Sequence, residues 1–328
     1  MKAIPYERMK TNDFGIKRNA YIKKKIDDFE IREINNLKLW DDFVEKSEQG
    51  TLFSSSIWAR ILNKYPDGNA KIIGVFDNNK LIAGMQVFER ERSFLKIMAY
   101  PPLTPFTTPI FENIRGLILL RKYLENKYHY IALQLEPSIK DINEFRGWAN
   151  KKLYTYEIDT KKRLEENFSK AVRYEFRKAE KKGIVVEKSN DIEKFIDFYE
   201  ETFQRQNLSV PINTDFIKEM FKILKEENKC ELFMTQYSGA LIVFDHRKAY
   251  YLMASSKYPN FSSSYLVLKE VIKEISARFE KLDLVGANIP RIAKFKRKFA
   301  TKLVEYNLVE WYSSIMIRMI KYIYGKIR

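Results

Sequence analysis

The sequence predicts an α/β protein of two domains, each a mixed sheet flanked by helices. Short apolar runs rich in β-branched and aromatic residues, bounded by Asn, Asp and Gly, alternate with segments whose apolar residues recur every three or four positions. One order of elements runs twice: helices, hairpin, strand, loop, helix, strand, short helix, strand. No residue identities match between the two copies, so the repetition is one of architecture. With 328 residues, 45% of them hydrophobic, the chain is long enough to bury two cores.

Residues 1 to about 33 are polar and charged and read as a lead-in with one early strand, Phe29–Ile34. A helix follows around Leu37–Ser47. Ser54, Ser55 and Ser56 then supply N-caps for a second helix carrying Ile57, Trp58 and Ile61. Ala70–Phe76 and Leu81–Phe88 form a hairpin, because Asp77-Asn78-Asn79-Lys80 tolerates the positive φ of a tight turn. Ser93–Tyr100 is a third strand and runs into a four-proline loop, Pro101 to Pro109, which is either a connector or the wall of a cleft near Tyr100. A helix Arg115–Lys127, a strand Tyr130–Leu135, a short helix Ile142–Asn150 and a strand Tyr154–Ile158 complete the first domain, 1–158.

The second domain, 159–311, opens with a long basic helix, Leu164–Lys182, stopped at Gly183. A strand Ile184–Glu187, helices Asp191–Gln206 and Thr214–Asn228, a hairpin Cys230–Gln236 with Ala240–Phe244 and a strand Ala249–Ala254 follow. A helix Ser263–Phe279 and a strand Leu282–Val285 come next. Pro290 suits the first position of a short helix, in which Ile292, Phe295 and Phe299 share a face and Lys294, Lys296, Arg297 and Lys298 occupy the others. Lys302–Trp311 is the last strand. A basic amphipathic helix, 312–328, ends the chain and either docks onto the first domain, completing it, or lies on a membrane surface.

The net charge is +16, from 59 Lys and Arg against 43 Asp and Glu. It suits a polyanionic partner, although a Lys- and Ile-rich composition alone also produces it. The one cysteine, Cys230, excludes an internal disulfide and a cysteine zinc site, and two distant histidines offer no metal centre, so no metal is expected. No apolar run reaches a membrane span and the N-terminus lacks a secretory core, which points to the cytoplasm. Walker, dinucleotide, zincin and serine-hydrolase motifs are absent. A cationic helix past the end of a buried strand suits the oxyanion of an acyl transfer, which needs proximity and a cation and no covalent nucleophile. A solvated basic face reads the same way from composition.

Three segments carry a family resemblance. They are Phe53-x-Ser55-x-x-Trp58, the run from Arg173 through Arg177-Lys178-Ala179 to Gly183, and Leu282-Asp283-Leu284 followed by Phe295-Lys296 and Phe299. From about Phe53 to Trp311 the chain resembles the FemAB-like transferases and the related CelD-like acetyltransferases, with Ala300 where those families usually have Gly. The resemblance implies two tandem GNAT-like domains. It places Lys296, Phe295 and Asp283 at the acyl-transfer centre, and Trp58, Arg60, Lys64, Arg173 and Arg177 on the substrate side, to which the proline loop adds Tyr100. The start of the Ser263–Phe279 helix, with Ser262, Ser263, Ser264 and Tyr265, joins Lys294 as the donor seat, although the glycine-rich pyrophosphate loop of ordinary GNAT enzymes is missing. It further implies a co-substrate, acyl-CoA or aminoacyl-tRNA, with no tightly bound cofactor. The acceptor would be a small or lipid-linked cell-envelope precursor, with tRNA as a partner, while the residues of the basic C-terminal helix add the anionic inner membrane surface. Two other readings stand beside an aminoacyl ligase of the envelope: an acyl-CoA-dependent N-acetyltransferase of amino sugars or polysaccharide precursors, and a non-catalytic basic protein that grips nucleic acid.

Overall fold

The computed structural model describes residues 29–92, 95–98, 100–162, 164–257, 261–299 and 301–326. The first half runs β1 (Phe29–Glu33), α1 (Leu37–Lys46), α2 (Ser56–Leu62), β2 (Asn69–Asp77), β3 (Lys80–Arg92), β4 (Leu95–Met98), β5 (Ile110–Phe111), α3 (Ile114–Lys127), β6 (Tyr130–Gln134) and β7 (Ala149–Asp159). The second runs α4 (Leu164–Asn167), α5 (Lys170–Lys181), β8 (Glu187–Ser189), α6 (Ile192–Gln204), α7 (Thr214–Glu226), β9 (Cys230–Met234), β10 (Ser238–Phe244) and β11 (Ala249–Ser256). Then come α8 (Phe261–Ser276), β12 (Lys281–Asp283), α9 (Pro290–Lys296), β13 (Lys302–Tyr312) and α10 (Ile315–Lys326).

Local signals set most boundaries. Ser55 caps α2 by accepting the Trp58 N–H, and such a cap is worth about 1 kcal/mol. Asn78 and Asn79 take φ of 46° and 65° in the β2–β3 turn, and Gly183 takes 65° at the end of α5. Four expectations are corrected. The Leu164–Lys182 helix is broken at Phe168 and Ser169, because Phe168 turns inward against Phe176 and Phe299 while Ser169 caps α5. Ile142–Asn150 forms only a short 3-10 turn at Asn143–Phe145, since Gly147 at φ 94° turns the chain into β7. Ile184 is buried with Ala179 and Leu266, so β8 begins three residues later, at Glu187. Of the Ser93–Tyr100 strand, Leu95–Met98 is strand and Tyr100 lies beyond it, while residues 93, 94 and 99 fall outside the described residues.

One sheet passes through both halves in the order β1-β2-β3-β4-β6-β13-β7-β12-β11-β10-β9-β8, with β5 added beside β3. The last strand, β13, inserts antiparallel between β6 and β7, while β7 continues across to pair with β12. The expected boundary after residue 158 therefore lies on a strand whose partners both come from the second half.

The cores follow from this. α3 lays Leu117, Leu120 and Leu124 on Ile73, Val75, Met85 and Leu133. On the corresponding face of the second half, α5 and α8 cover Ile158, Ile242, Leu282 and Leu284 with Val172, Leu268, Val271 and Ile275. Helices α1, α2, α6 and α7 share a third core that spans both halves, with Trp40, Phe53 and Trp58 at one end and Phe195, Phe216 and Met220 at the other. Each fully buried side chain of this kind is worth about 1.5–3 kcal/mol. The shared core and the exchanged strands hold the halves together.

Each half has one short parallel pair, β4 with β6 and β11 with β12, and each joins at only two positions. In the first half the proline loop folds back over the end of that pair. The Thr107 N–H donates to the Gln134 carbonyl at 2.7 Å, and the Gln134 and Glu136 N–H groups donate to the Thr107 and Thr108 hydroxyls at 2.8 and 2.7 Å. The loop thus stands where the strands part.

Candidate active site

The corresponding end of β12 gathers the charged groups. Asp283 is wholly buried; its Oδ1 accepts from the Thr155 hydroxyl at 2.5 Å and from the Val285 N–H at 2.8 Å, while Oδ2 has no hydrogen bond. Burial raises its pKa above the usual carboxylate range, outweighing the pull of Lys248. The Lys248 ammonium lies 3.9 Å from Asp283 Oδ2, 3.1 Å from Glu136 and 3.4 Å from Glu157. Burial alone would lower Lys248, but Asp283, Glu136 and Glu157 outweigh it and hold the lysine above its ordinary value.

The turn that carries Lys248 is anchored in the first half. The Leu52 N–H donates to Asp245 Oδ2 at 3.1 Å, and Arg247 donates to the carbonyls of Glu48 and Gly50. Glu136 follows β6, Glu157 lies on β7 and Asp283 on β12, so this buried cluster ties three strands and both halves to one ammonium.

Lys296, at the end of α9, is 7% exposed, and its ammonium donates to the carbonyls of Leu284, Val285 and Gly286, the last at 3.1 Å. Val285 at φ 51° and Gly286 at 68° turn the backbone left-handed at these acceptors. A β-branched residue pays strain in that conformation, and the lysine holds it there. Burial pushes Lys296 down to about 8, with Asp283 acting in the opposite sense, so it is mainly charged at neutral pH. All three of its N–H bonds have acceptors. To meet an oxyanion directly it must release one, and its charge acts on the site in either case.

α9 also joins this cation to α8. Phe295 packs edge-on to Tyr265 with ring centres 4.9 Å apart, and the buried Phe299 stacks on the same ring at 5.6 Å. Lys298 donates to the Tyr265 hydroxyl at 2.7 Å, and Ser262 donates to Glu175 of α5 at 2.5 Å. Ser263 is buried, Ser264 is half-buried and Lys294 is exposed. The start of α8, Ser262 to Tyr265, therefore stands beside Phe295, with a carboxylate already next to Ser262.

The anticipated substrate residues lie elsewhere. Trp58 is fully buried, donates its indole N–H to Thr104 at 2.8 Å and packs on Phe53, which in turn meets Tyr250. Arg60 and Lys64 face α7, pairing with Glu227 at 2.6 Å and Glu219 at 3.9 Å. Arg173 donates to the Glu166 carbonyl and Arg177 to the Arg173 carbonyl, both on the outer side of α5. Tyr100 exposes 41% of its surface, yet its hydroxyl end is enclosed near Tyr306, and burial raises its pKa. Cys230 is buried, and burial pushes its thiol up to about 12, which leaves it unsuited to nucleophilic work. Lys248, Glu136 and Glu157 were not anticipated. Their one sequence signal is polar residues at the ends of apolar strands, which is also what any turn looks like.

Residues 166–297 match the family described as an acetyltransferase (GNAT) domain. The fold is similar to that of FemX, at 16% identity and a TM-score of 0.66, over 85% of this chain and 96% of that one. It is similar to the C-terminal domain of a protein named as a lysylphosphatidylglycerol synthetase from Agrobacterium fabrum, at 12% identity and 0.56, over 87% and 96% of the two chains. A tandem GNAT protein from the clavulanic acid biosynthesis pathway shares it at 8% and 0.50, over 87% and 99%. No curated protein sequence matches the chain. Among the described residues no helix is long and apolar enough to cross a membrane. Residues 166–297 thus carry an acetyltransferase (GNAT) domain, and along most of its length the chain shares its fold with FemX and with a tandem GNAT protein.

Proposed function

We propose that the protein transfers an aminoacyl or acyl group from an activated donor to an amine of a small or lipid-linked cell-envelope precursor, forming an amide. The observation that carries this is the buried Lys296 cation at the end of β12, where β12 and β11 pair at only two positions. In the transfer, the acceptor amine attacks the donor carbonyl carbon, the carbonyl oxygen becomes an oxyanion, and collapse breaks the bond to the donor's leaving group, which departs with the proton that the amine loses. A fixed cation in a site shielded from water lowers the energy of that oxyanion, an effect typically worth about 3–4 kcal/mol per group. Phe295 shields one side of Lys296. Asp283 favours the charged form of Lys296, and Lys248 holds Asp283 in place. The first half, its parallel pair covered by the proline loop, takes the acceptor.

The likeness to FemX and to the lysylphosphatidylglycerol synthetase domain supports an envelope acceptor and an aminoacyl-tRNA donor. Glu175 beside Ser262 points the same way, because a carboxylate at the start of α8 opposes a pyrophosphate there. Arg173, Arg177 and the lysines of α5 offer a basic face to the tRNA backbone. The GNAT family match favours acyl-CoA as the second reading, with an amino sugar or polysaccharide precursor as acceptor. Incubation with envelope precursors and either charged tRNA or acetyl-CoA, followed by mass spectrometry, tests this. A mass increase of one aminoacyl group from the tRNA arm is expected, reduced about 100-fold or more by Lys296→Met. An acetyl increase from the other arm selects the second reading, and no product from either refutes both.

A further inference from the structure

The last helix has one face that is largely exposed among the described residues. Among the described side chains of α10 only Ile317 is buried, at 7% exposure, and Lys321 turns the same way to bond Glu310, the Tyr130 hydroxyl and, at 3.5 Å, the Tyr312 hydroxyl. Arg318 lies toward the Tyr312 ring, 6.0 Å away. These contacts fasten α10 to β13 and β6 by one side. The opposite side carries Ile315, Met316, Met319, Tyr322 and Ile323, each between 56% and 73% exposed. Their spacing of i, i+1, i+4, i+7 and i+8 puts all five in one stripe roughly 120° wide. Five large apolar side chains aligned on a rigidly docked helix are not the scattered exposure that any surface shows.

We propose that this stripe is an interfacial membrane anchor, and that its partner is the surface of a bilayer containing anionic lipid. Charge selects that occupant. From Trp311 to the end of the chain there is no acidic residue; Lys321 is neutralised by Glu310, while Arg318, Lys326 and Arg328 are further cations and the whole chain carries +16. A helix with an apolar stripe, flanking cations and no acid is attracted to anionic headgroups and buries its stripe at the acyl boundary. A second copy is a poorer occupant, because a self-complementary contact through this helix sets the same cations against one another. The segment 1–28 is itself rich in lysine and arginine and suffers the same repulsion. The inference does not depend on acyl transfer, since the stripe stands apart from Lys296 and its surroundings.

Cosedimentation of the full chain with vesicles, in the absence of any donor or acceptor, tests this. Vesicles of phosphatidylcholine mixed with phosphatidylglycerol should retain the protein at least about tenfold better than phosphatidylcholine alone. Met319→Glu/Ile323→Glu should weaken that retention by about tenfold or more while the circular dichroism spectrum and thermal midpoint stay unchanged, since both side chains face outward. Three results would overturn it: no retention on the anionic vesicles, equal retention of the variant, or a self-association in sedimentation velocity that the variant abolishes.

Discussion

Replacing Lys248 by Met removes one charge with little change in length, and its consequence can be worked from the geometry. The ammonium faces carboxylate oxygens at 3.1, 3.4 and 3.9 Å and is 7% exposed. At an effective dielectric near 20, each such contact attracts by about 4 kcal/mol before desolvation is counted. Burying the lysine offsets much of that sum, but its loss leaves Glu136, Glu157 and Asp283 without their cation, and breaking a buried pair in this way costs about 3–5 kcal/mol. That is a large share of a typical stability of about 5–15 kcal/mol. Urea unfolding followed by tryptophan fluorescence should show the midpoint falling by about 1 M or more at pH 7. Without Lys248, Asp283, already raised by burial, loses the cation that draws it down and rises further. A group raised in this way contributes stability that is present at low pH and lost as pH rises, so the deficit of the variant should shrink as pH falls from 7 toward 4.5. Adding Glu136→Gln to Lys248→Met should restore part of the loss at pH 7. A deficit under about 1 kcal/mol, or one that does not change with pH, would refute the picture of a charged cluster.

Other consequences are checked as directly. The pKa of Lys296 is lowered to about 8, so a transfer rate that needs its positive charge should fall on the alkaline side with a midpoint near 8, read from a pH profile of product formation. The sign for stability is the reverse. A lowered lysine contributes stability that is present above its unfolded value and lost as pH falls through about 8. Trp58→Phe removes the indole N–H that Thr104 accepts and leaves a cavity where the bicyclic ring was fully buried; it should cost about 2–4 kcal/mol in urea unfolding and leave the transfer rate of the folded protein within about twofold, whereas a tryptophan that binds substrate would raise KM. Arg60→Ala breaks a half-exposed ion pair to Glu227 and should cost less than about 1 kcal/mol, with a smaller loss in high salt.

Elements whose signals lie within a few residues were legible before the structure. Ser55 as a cap, Asn78 and Asn79 in a hairpin, Gly183 as a helix stop and Pro290 at a helix start act through their own backbone geometry, and each sits where its chemistry predicts. The order of elements and the tandem mixed-sheet fold follow from them. The exchange of β7 and β13 was not legible, because both strands alternate in the same way and nothing local says which neighbour each takes. The break at Phe168 was hidden because no Gly or Pro marks it and a serine such as its cap, Ser169, also occurs inside helices. The candidate site divides along the same line. Phe295 and Lys296 stand in a short motif, whereas Lys248 meets residues 112, 91 and 35 positions away in the chain. A lysine in Asp245-His246-Arg247-Lys248 reads as a solvated turn, and only the fold brings three acids to it. Trp58 carried a family motif, yet its side chain belongs to the core.

The central claim is that the second half receives an activated donor next to Lys296. Calorimetric titration of the purified chain at fixed physiological salt, with charged tRNA, uncharged tRNA and acetyl-CoA in separate runs, tests it most directly. The account predicts saturable binding that prefers charged over uncharged tRNA and weakens when Phe295 is replaced by Ala, with acetyl-CoA bound weakly beside Glu175. Equal binding of both tRNAs together with no binding of acetyl-CoA would contradict it, since such a surface would hold a polyanion without recognising the group to be transferred.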